Sequence, residues 1–495
     1  MKKVANGFAP IIALDRHTTK PLHRQIYDAY RTTIAGRNLR PGEKVLSSRD
    51  LALQLGISRV PVLSAYAQLL AEGYLESRSG SGTFVSNSMV DQLTSCQSNG
   101  NQTKLRSGPR PVSRRSALLP PFKFVPWLSG WGAFCVGQLA FECFPFQVWS
   151  KLIARHSRNV RVSALHFTNP LGSVEFREAI ATYLRTVRAV NCDPEQIMVV
   201  SGSQQALEIS ARVLLDPGNS AWIEEPGYIL ARQVLMVAGA RLVPVPVDRE
   251  GMNVSAGMER CSGARAAYVT PSHQFPLGVT LSASRRLQLL EWAQQYGAWI
   301  IEDDYDSEYR YQDLPISSLQ GLDRNSRVIY IGTFSKTLFP SLRLGYMVIP
   351  PDLVDRFAAV RHAMDVYPPH LYQAVLTDFI KEGHFSRHIR RTRMVYAERR
   401  NALVEAIQDE FGSELQIVGA EAGMHVVVTM TKRLRDREIA KRAARENLWL
   451  WPLSPCYVDN NPKQGFILGF GSTAAKEIPK RVRQLRQVIA SASSN

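Results

Sequence analysis

The first group that invites chemistry is a lysine in GTFSKTLFPSLRLGY, residues 332–346. Lys336 sits among the hydroxyls of Thr333 and Ser335 and is followed seven residues later by Arg343. A lysine nitrogen can form a Schiff base when a partly desolvated site lowers its pKa. Hydroxyls and a guanidinium nearby are what a bound phosphate monoester needs. The segment alone leaves a surface lysine in a polar loop equally open.

Other segments supply compatible groups. Trp299-Ile300-Ile301-Glu302-Asp303-Asp304-Tyr305-Asp306 reads as a buried strand ending in acids. A carboxylate at a strand's C-terminal end can keep a pyridine nitrogen protonated, and a tyrosine two residues later can hydrogen-bond a ring phenolate. A divalent-metal site or a solvated acidic loop are the alternatives. Ser203 and Gln204 open a helix after the strand at 197–200, and its free N–H groups form an anion site. Such turns are common and weak evidence alone. Tyr228, in Glu225-Pro226-Gly227-Tyr228, can stack on a flat ring or simply pack in the core.

The N-terminal part offers a different chemistry. In residues 46–86, Ser47 or Ser48 caps a helix carrying Leu51, Ala52 and Leu55. Gly56-Ile57 turns the chain, and Ser58 caps a second helix with Val62, Ala65, Tyr66 and Leu69 buried. Pro61 is tolerated in its first turn. Strands at 74–76 and 83–85 follow, hinged by Ser79-Gly80-Ser81-Gly82. Helix, turn, helix and wing suit duplex DNA. Arg49 and Arg59 can grip a phosphate or a guanine edge, while Gly82 and Thr83 let the backbone approach a phosphate. A protein-docking module with a solvated basic face is the plainer alternative.

These segments need elements to hold them. The chain has 495 residues, 45% apolar and 21% charged, enough for one small and one large globular domain. Sixty Lys and Arg against 43 Asp and Glu give a net charge of +17, which makes nucleic acid a partner worth testing. Six cysteines without CxxC spacing argue against a disulfide framework or zinc module and fit a reducing, cytoplasmic setting. The uncharged run 124–141 reaches a membrane-like length, but Pro126, Gly130, Gly132 and Gly137 argue against a span. Three parts emerge. Residues 12–88 are compact, with Leu22, Ile26, Tyr30 and Ile34 on one helix face after Pro21. They precede a Ser-, Asn- and Pro-rich basic linker at 89–122. From 123 to 495, β-rich runs at 197–200, 221–223, 266–270, 299–302 and 328–331 alternate with helices, predicting an α/β domain with a mostly parallel central sheet.

Residues 46–86 resemble the GntR-type winged helix, carried by Ser47-Ser48-Arg49, Leu51-Ala52, Leu55, Ile57-Ser58-Arg59, Val62, Leu69, Glu72-Gly73, Gly80, Gly82-Thr83 and Val85. The resemblance implies that Arg49, Arg59 and the wing touch DNA. The later segments together resemble fold-type I pyridoxal 5'-phosphate (PLP) enzymes, the class I aminotransferases, over about residues 130–490. In that family's roles Lys336 is the Schiff-base lysine, Asp303 pairs with the pyridinium nitrogen and Tyr305 with the ring oxygen. Tyr228 stacks on the ring, and Ser203, Gln204, Thr333, Ser335 and Arg343 hold the phosphate. A winged helix fused through a basic linker to such a domain resembles the MocR/GabR subfamily of GntR regulators. Phe144-Pro145-Phe146, Thr270–Pro276 and Glu302–Glu308 look like that subfamily's own strings.

Departures from the enzymes set the functional expectation. Ile467 stands where the enzymes carry a carboxylate-binding arginine, and isoleucine cannot replace a guanidinium fork. Phe275 precedes Pro276 where they have asparagine, leaving His273 or Gln274 as ring-oxygen partner. Phe167 stands where many have tyrosine. Without the clamp, the reacting bond is poorly aligned. The expectation is a PLP-dependent DNA-binding regulator with residual or no transaminase turnover. Its effector is an amino compound or PLP itself. The resemblance implies a head-to-tail homodimer, and no metal is called for. The rival is a working aminotransferase with an N-terminal docking module.

Overall fold

The computed structural model describes residues 7–36, 38–87, 111–121, 125, 130–160, 166, 168–311, 316–431, 434–459 and 461–493. The chain divides into two compact units, Met1–Pro111 and Val112–Asn495. The first part of the expected linker, 89–110, lies outside the described residues, as does Phe167. Its last part belongs to the second unit and includes a short turn of helix, Ser116–Leu118, whose first N–H is accepted by Ser113 Oγ at 3.2 Å.

In the first unit, Pro21 precedes α1 (Leu22–Ala35), whose Ile26, Tyr30 and Ile34 are buried as the spacing predicts. Ser47 caps α2 (Ser48–Leu55), its Oγ accepting the Asp50 N–H at 3.2 Å, which decides between the two serines. Gly56 closes α2 in the left-handed region at φ 64°, where the missing Cβ removes the steric cost. Ser58 stands before α3 (Arg59–Ala71), but its hydroxyl makes no capping bond, a correction to the expected cap. A capping oxygen accepts from the second or third helical N–H, and the third residue here is Pro61, which has none. β1 (Leu75–Arg78) and β2 (Gly82–Val85) form the antiparallel wing, from Leu75 opposite Val85 to Arg78 opposite Gly82. The core joins α1 to α3. The Tyr30 and Tyr66 rings meet edge-on at 5.4 Å, their hydroxyls lie 2.8 Å apart, and Tyr66 donates to Leu46 O at 2.9 Å. The module begins before residue 12, because Phe8 N donates to Lys44 O at 2.9 Å.

In the second unit, α4 (Phe146–Arg158) and α5 (Val174–Arg188) precede an eight-stranded sheet. Its strands are β3 (Ile197–Val200), β4 (Ser220–Glu225), β5 (Arg241–Asp248), β6 (Gly251–Met252), β7 (Ala266–Val269), β8 (Trp299–Asp304), β9 (Val328–Thr333) and β10 (Gly345–Val348). The order is β3-β10-β9-β8-β7-β4-β5-β6. The run from β9 through β5 is parallel; β10 and the edge strand β6 are antiparallel. The five expected strands are β3, β4, β7, β8 and β9. Helices α6 (Ser203–Leu214), α7 (Ile229–Val237), α8 (Val254–Cys261), α9 (Ala283–Tyr296) and α10 (Val354–Asp365) accompany the sheet. Covered on both faces, β8 is buried throughout. Ile301 packs with Met198 and Met347 on one side, and Ile300 with Trp222 and Trp292 on the other.

α11 (His370–Lys381) and the long α12 (His384–Phe411) lead to a second, four-stranded antiparallel sheet. It comprises β11 (Leu415–Val418), β12 (His425–Met430), β13 (Trp451–Pro452) and β14 (Gly465–Gly469), with α13 (Asp436–Arg445) and α14 (Ile478–Ser493). Among the described residues no helix is long and apolar enough to cross a membrane. Within 124–141, Phe134, Leu139 and Ala140 are instead buried in the second unit's core.

Candidate functional site

Asp303, Tyr305, Tyr228 and Lys336 stand at or just beyond the C-terminal ends of the parallel strands, the place where open α/β sheets take their ligands. Lys336 follows β9 and is half-buried. Burial pushes its ammonium pKa down, while Asp306, Asp303 and the Cys135 thiol oppose that fall. Gly137 lies directly against it: a Cβ there would stand 2.6 Å from Lys336 Nζ, on a backbone at φ 82°. Gly137→Ala is therefore expected to push the lysine out of place and to lower PLP uptake at least about tenfold, measured by equilibrium dialysis.

Three consecutive acids end β8, and their surroundings differ. Glu302 accepts the backbone N–H groups of Leu319 and Gln320, each at 2.8 Å. Asp304 is bound by Arg188 Nε at 2.9 Å and the Tyr330 hydroxyl at 2.6 Å. Asp303, one residue along and on the opposite face, takes the Tyr268 hydroxyl on Oδ2 at 2.8 Å, while Oδ1 is buried without a partner. Burial drives the Asp303 pKa up to about 7, aided by Asp304 and Asp306 and opposed by Tyr268 and Lys336. A buried carboxylate with one oxygen left over fits a protonated ring nitrogen.

Tyr305 stands beyond the strand, its hydroxyl 3.0 Å from His273 Nδ1, which also lies 3.1 Å from Asp306 Oδ2. Gln274 is tied elsewhere. Its amide nitrogen donates to Glu224 Oε2, Pro226 O and Phe275 O, and its oxygen accepts the Leu277 N–H. Of the two candidates for the missing asparagine, His273 is therefore the one beside Tyr305. Tyr228 meets the Phe275 ring edge-on at 5.4 Å, and burial raises its pKa to about 12, with Asp303 adding to the rise and Gln204 and Arg343 opposing it.

The expected phosphate groups gather at the start of α6. Gly202 holds φ 112° before the helix, and no side chain caps it. The Arg343 guanidinium lies against Gly202, where a Cβ would come within 3.3 Å of Nη2. Gln204 Nε2 is buried without a hydrogen-bond partner. Thr333 ends β9, and its Oγ1 accepts the Ser335 N–H at 3.1 Å. Ser203 is the first residue of α6. Open helix N–H groups, hydroxyls and a guanidinium form an anion cup. The sequence reading missed Gly137 and Tyr268. Each acts on a residue far away in the chain, so no local spacing marks it.

In the first unit Arg49, Ser58, Arg59 and Gly82 are exposed and Thr83 is partly so. Arg59 Nε donates to Ser48 Oγ at 2.9 Å, joining α3 to α2. Gly82 holds φ 114°, with the Lys44 side chain 2.9 Å from where a Cβ would be. Val60 and Leu63 were also missed; they are exposed on α3 beside Arg59 and off its buried stripe. Exposed apolar groups next to an arginine suit thymine methyls and a guanine edge in a major groove.

The comparisons agree with both domain types. Residues 22–85 match the model described as bacterial regulatory proteins, gntR family, and residues 131–467 match aminotransferase class I and II. The probable rhizopine catabolism regulatory protein MocR of Rhizobium meliloti is 41% identical over 98% of this chain and 97% of its own length. The HTH-type pyridoxine biosynthesis transcriptional regulator PdxR of Corynebacterium glutamicum is 30% identical over 93% of this chain and 94% of its own. The α-aminoadipate aminotransferase LysN of Thermus thermophilus, solved with N-(5'-phosphopyridoxyl)-L-leucine, shares the larger fold. Its TM-score is 0.69 at 29% identity, over 74% of this chain and 94% of that one. With a winged helix at one end and an aminotransferase-like sheet at the other, the chain belongs to the MocR-type family of HTH transcriptional regulators, which join a GntR-family domain to a class I aminotransferase-like domain.

Proposed function

We propose that this regulator binds PLP through Lys336 and that its operator binding responds to an amino compound or to PLP itself. The observation that carries the reading is the buried, unpartnered Oδ1 of Asp303 in the same pocket as a desolvated lysine. When bound, PLP supplies an aldehyde for a primary amine and an electron-withdrawing ring. Asp303 holds the ring nitrogen's proton, with Tyr268 fixing its carboxylate. Tyr305, backed by His273, donates to the ring oxygen, and Tyr228 covers the ring face. Ser203, Gln204, Thr333, Ser335 and Arg343 hold the phosphate.

Arg49, Ser58, Arg59, Gly82 and Thr83 meet the duplex, and the protein works as a cytoplasmic homodimer in which each winged helix rests on its partner. An effector acts only through its different affinity for the two DNA-binding states. The relatives' names support a link to catabolic or vitamin-B6 genes. Transaminase turnover is residual or absent, because a buried isoleucine stands at 467.

Purified protein mixed with PLP should turn yellow, and PLP or an amine should change its binding to an upstream operator fragment. A chain that PLP cannot colour would overturn the cofactor reading. Sustained keto-acid formation from an amino acid would favour the working aminotransferase.

The acids give a pH prediction. Burial raises Glu224, Asp303, Glu302 and Glu308 to about 7, from ordinary values near 4. The folded chain thus holds more protons than the unfolded one between about pH 4 and 7, so stability falls as pH rises through that window. The cofactor-free protein should lose Tm between pH 5 and 7. Asp303→Asn should soften this loss yet weaken PLP binding, which thermal denaturation and dialysis would show together.

A further inference from the structure

An apolar cluster packs against Tyr228 and Tyr305. Ile467 is fully buried on β14, opposite Val427 of β12 and Trp451 of β13. It clusters with Phe275, Val427, Leu453 and Cys456, and Tyr228, Tyr305 and Val136 pack against that cluster. Two of those three are proposed PLP contacts, and Val136 adjoins the Gly137 that touches Lys336. The cluster therefore adjoins the groups proposed to hold the ring and the segment that touches the lysine.

Among the described residues, the arginines near this cluster are directed elsewhere. Arg343 lies against Gly202 in the phosphate cup. Arg232 donates to the Pro455 and Tyr457 carbonyls, and Arg310 to Thr280 Oγ1. A carboxylate placed here would lose its water and gain no cation, an unfavourable exchange. Two polar atoms around the cluster are buried without a partner: the indole Nε1 of Trp451, and Nε2 of the His273 imidazole beside Tyr305. The Trp451 ring lies 5.9 Å from Phe275, which in turn lies 5.4 Å from Tyr228 and 6.3 Å from Tyr305. The indole offers one N–H donor and no charge, which suits one neutral acceptor oxygen.

Building on the PLP reading, we propose that the effector is a primary amine without a carboxylate that carries a hydroxyl or other neutral oxygen. Ile467 sets the exclusion and Trp451 makes the polar contact.

The test uses the PLP-loaded full-length chain and a matched pair of probes, L-alaninol and L-alanine, which differ only in CH2OH against carboxylate. Titration is followed by the change in the visible absorbance band. L-Alaninol should half-saturate at a concentration at least tenfold lower, about 1.4 kcal/mol. Ile467→Arg should shift the ratio toward L-alanine at least tenfold. Trp451→Phe should narrow the advantage of L-alaninol over isopropylamine severalfold. Equal or tighter binding of L-alanine by the wild type overturns the inference, whether or not Ile467→Arg folds. A band that neither probe moves also overturns it. If no Lys336-dependent band forms with PLP, the cofactor reading itself has failed, and the inference falls with it.

Discussion

Lys336→Ala is expected to abolish the visible absorbance of the PLP-treated chain and to weaken PLP retention by about 100-fold, roughly 2.8 kcal/mol. The lysine is the covalent anchor of the proposed site, and its nitrogen is prepared for that task. Burial lowers its pKa, which raises the fraction of free amine available to attack an aldehyde carbon. The acids nearby limit the fall without forming an ion pair that would block the nitrogen. The phosphate cup and Asp303 remain in the variant, so residual non-covalent binding without colour is the expected signature. Borohydride reduction of the wild type followed by peptide mapping should place the label on residue 336. A label elsewhere, or a variant that stays yellow, would remove Lys336 from its role.

Arg59→Ala is expected to lower operator affinity by about 1–3 kcal/mol, about five- to 150-fold, without touching the visible spectrum. Arg59 opens α3 at its exposed end, and its bond to Ser48 Oγ fixes the guanidinium's base while the side chain stays open to solvent. An arginine held there pays less entropy when it meets a base edge or phosphate. Wild-type binding should also weaken steeply with salt, because phosphate contacts release counterions, and the variant's salt slope should be shallower if Arg59 meets phosphate. Gel shifts over a salt series separate the two cases. An unchanged shift in Arg59→Ala would mean that α3 does not read the operator.

Both units were legible where chemistry sits in short continuous strings. Ser47 through Val85 carries a helix cap, a turn and a wing, so spacing alone implied the helices and hairpin that appear. Lys336, Asp303 and Tyr305 follow buried strands whose apolar runs mark them locally. The Ser58 cap failed for an equally local reason, the missing N–H of Pro61, which the sequence held but spacing rules passed over.

The sequence by itself determined the two domain types and the strand-end positions of the reactive groups. Tertiary structure decided which groups are available. Asp304 is neutralised by Arg188, 116 residues away, although its Oδ1 is buried without a partner too; Gln274 is held by Glu224, 50 away; and Asp303 has no arginine and keeps an open oxygen because Tyr268 takes only the other one. The physical reason is that a polar group's free capacity depends on every partner the fold brings within hydrogen-bond distance, and those partners come from other strands. Local spacing fixes which face a side chain takes; only packing between strands settles what that face meets.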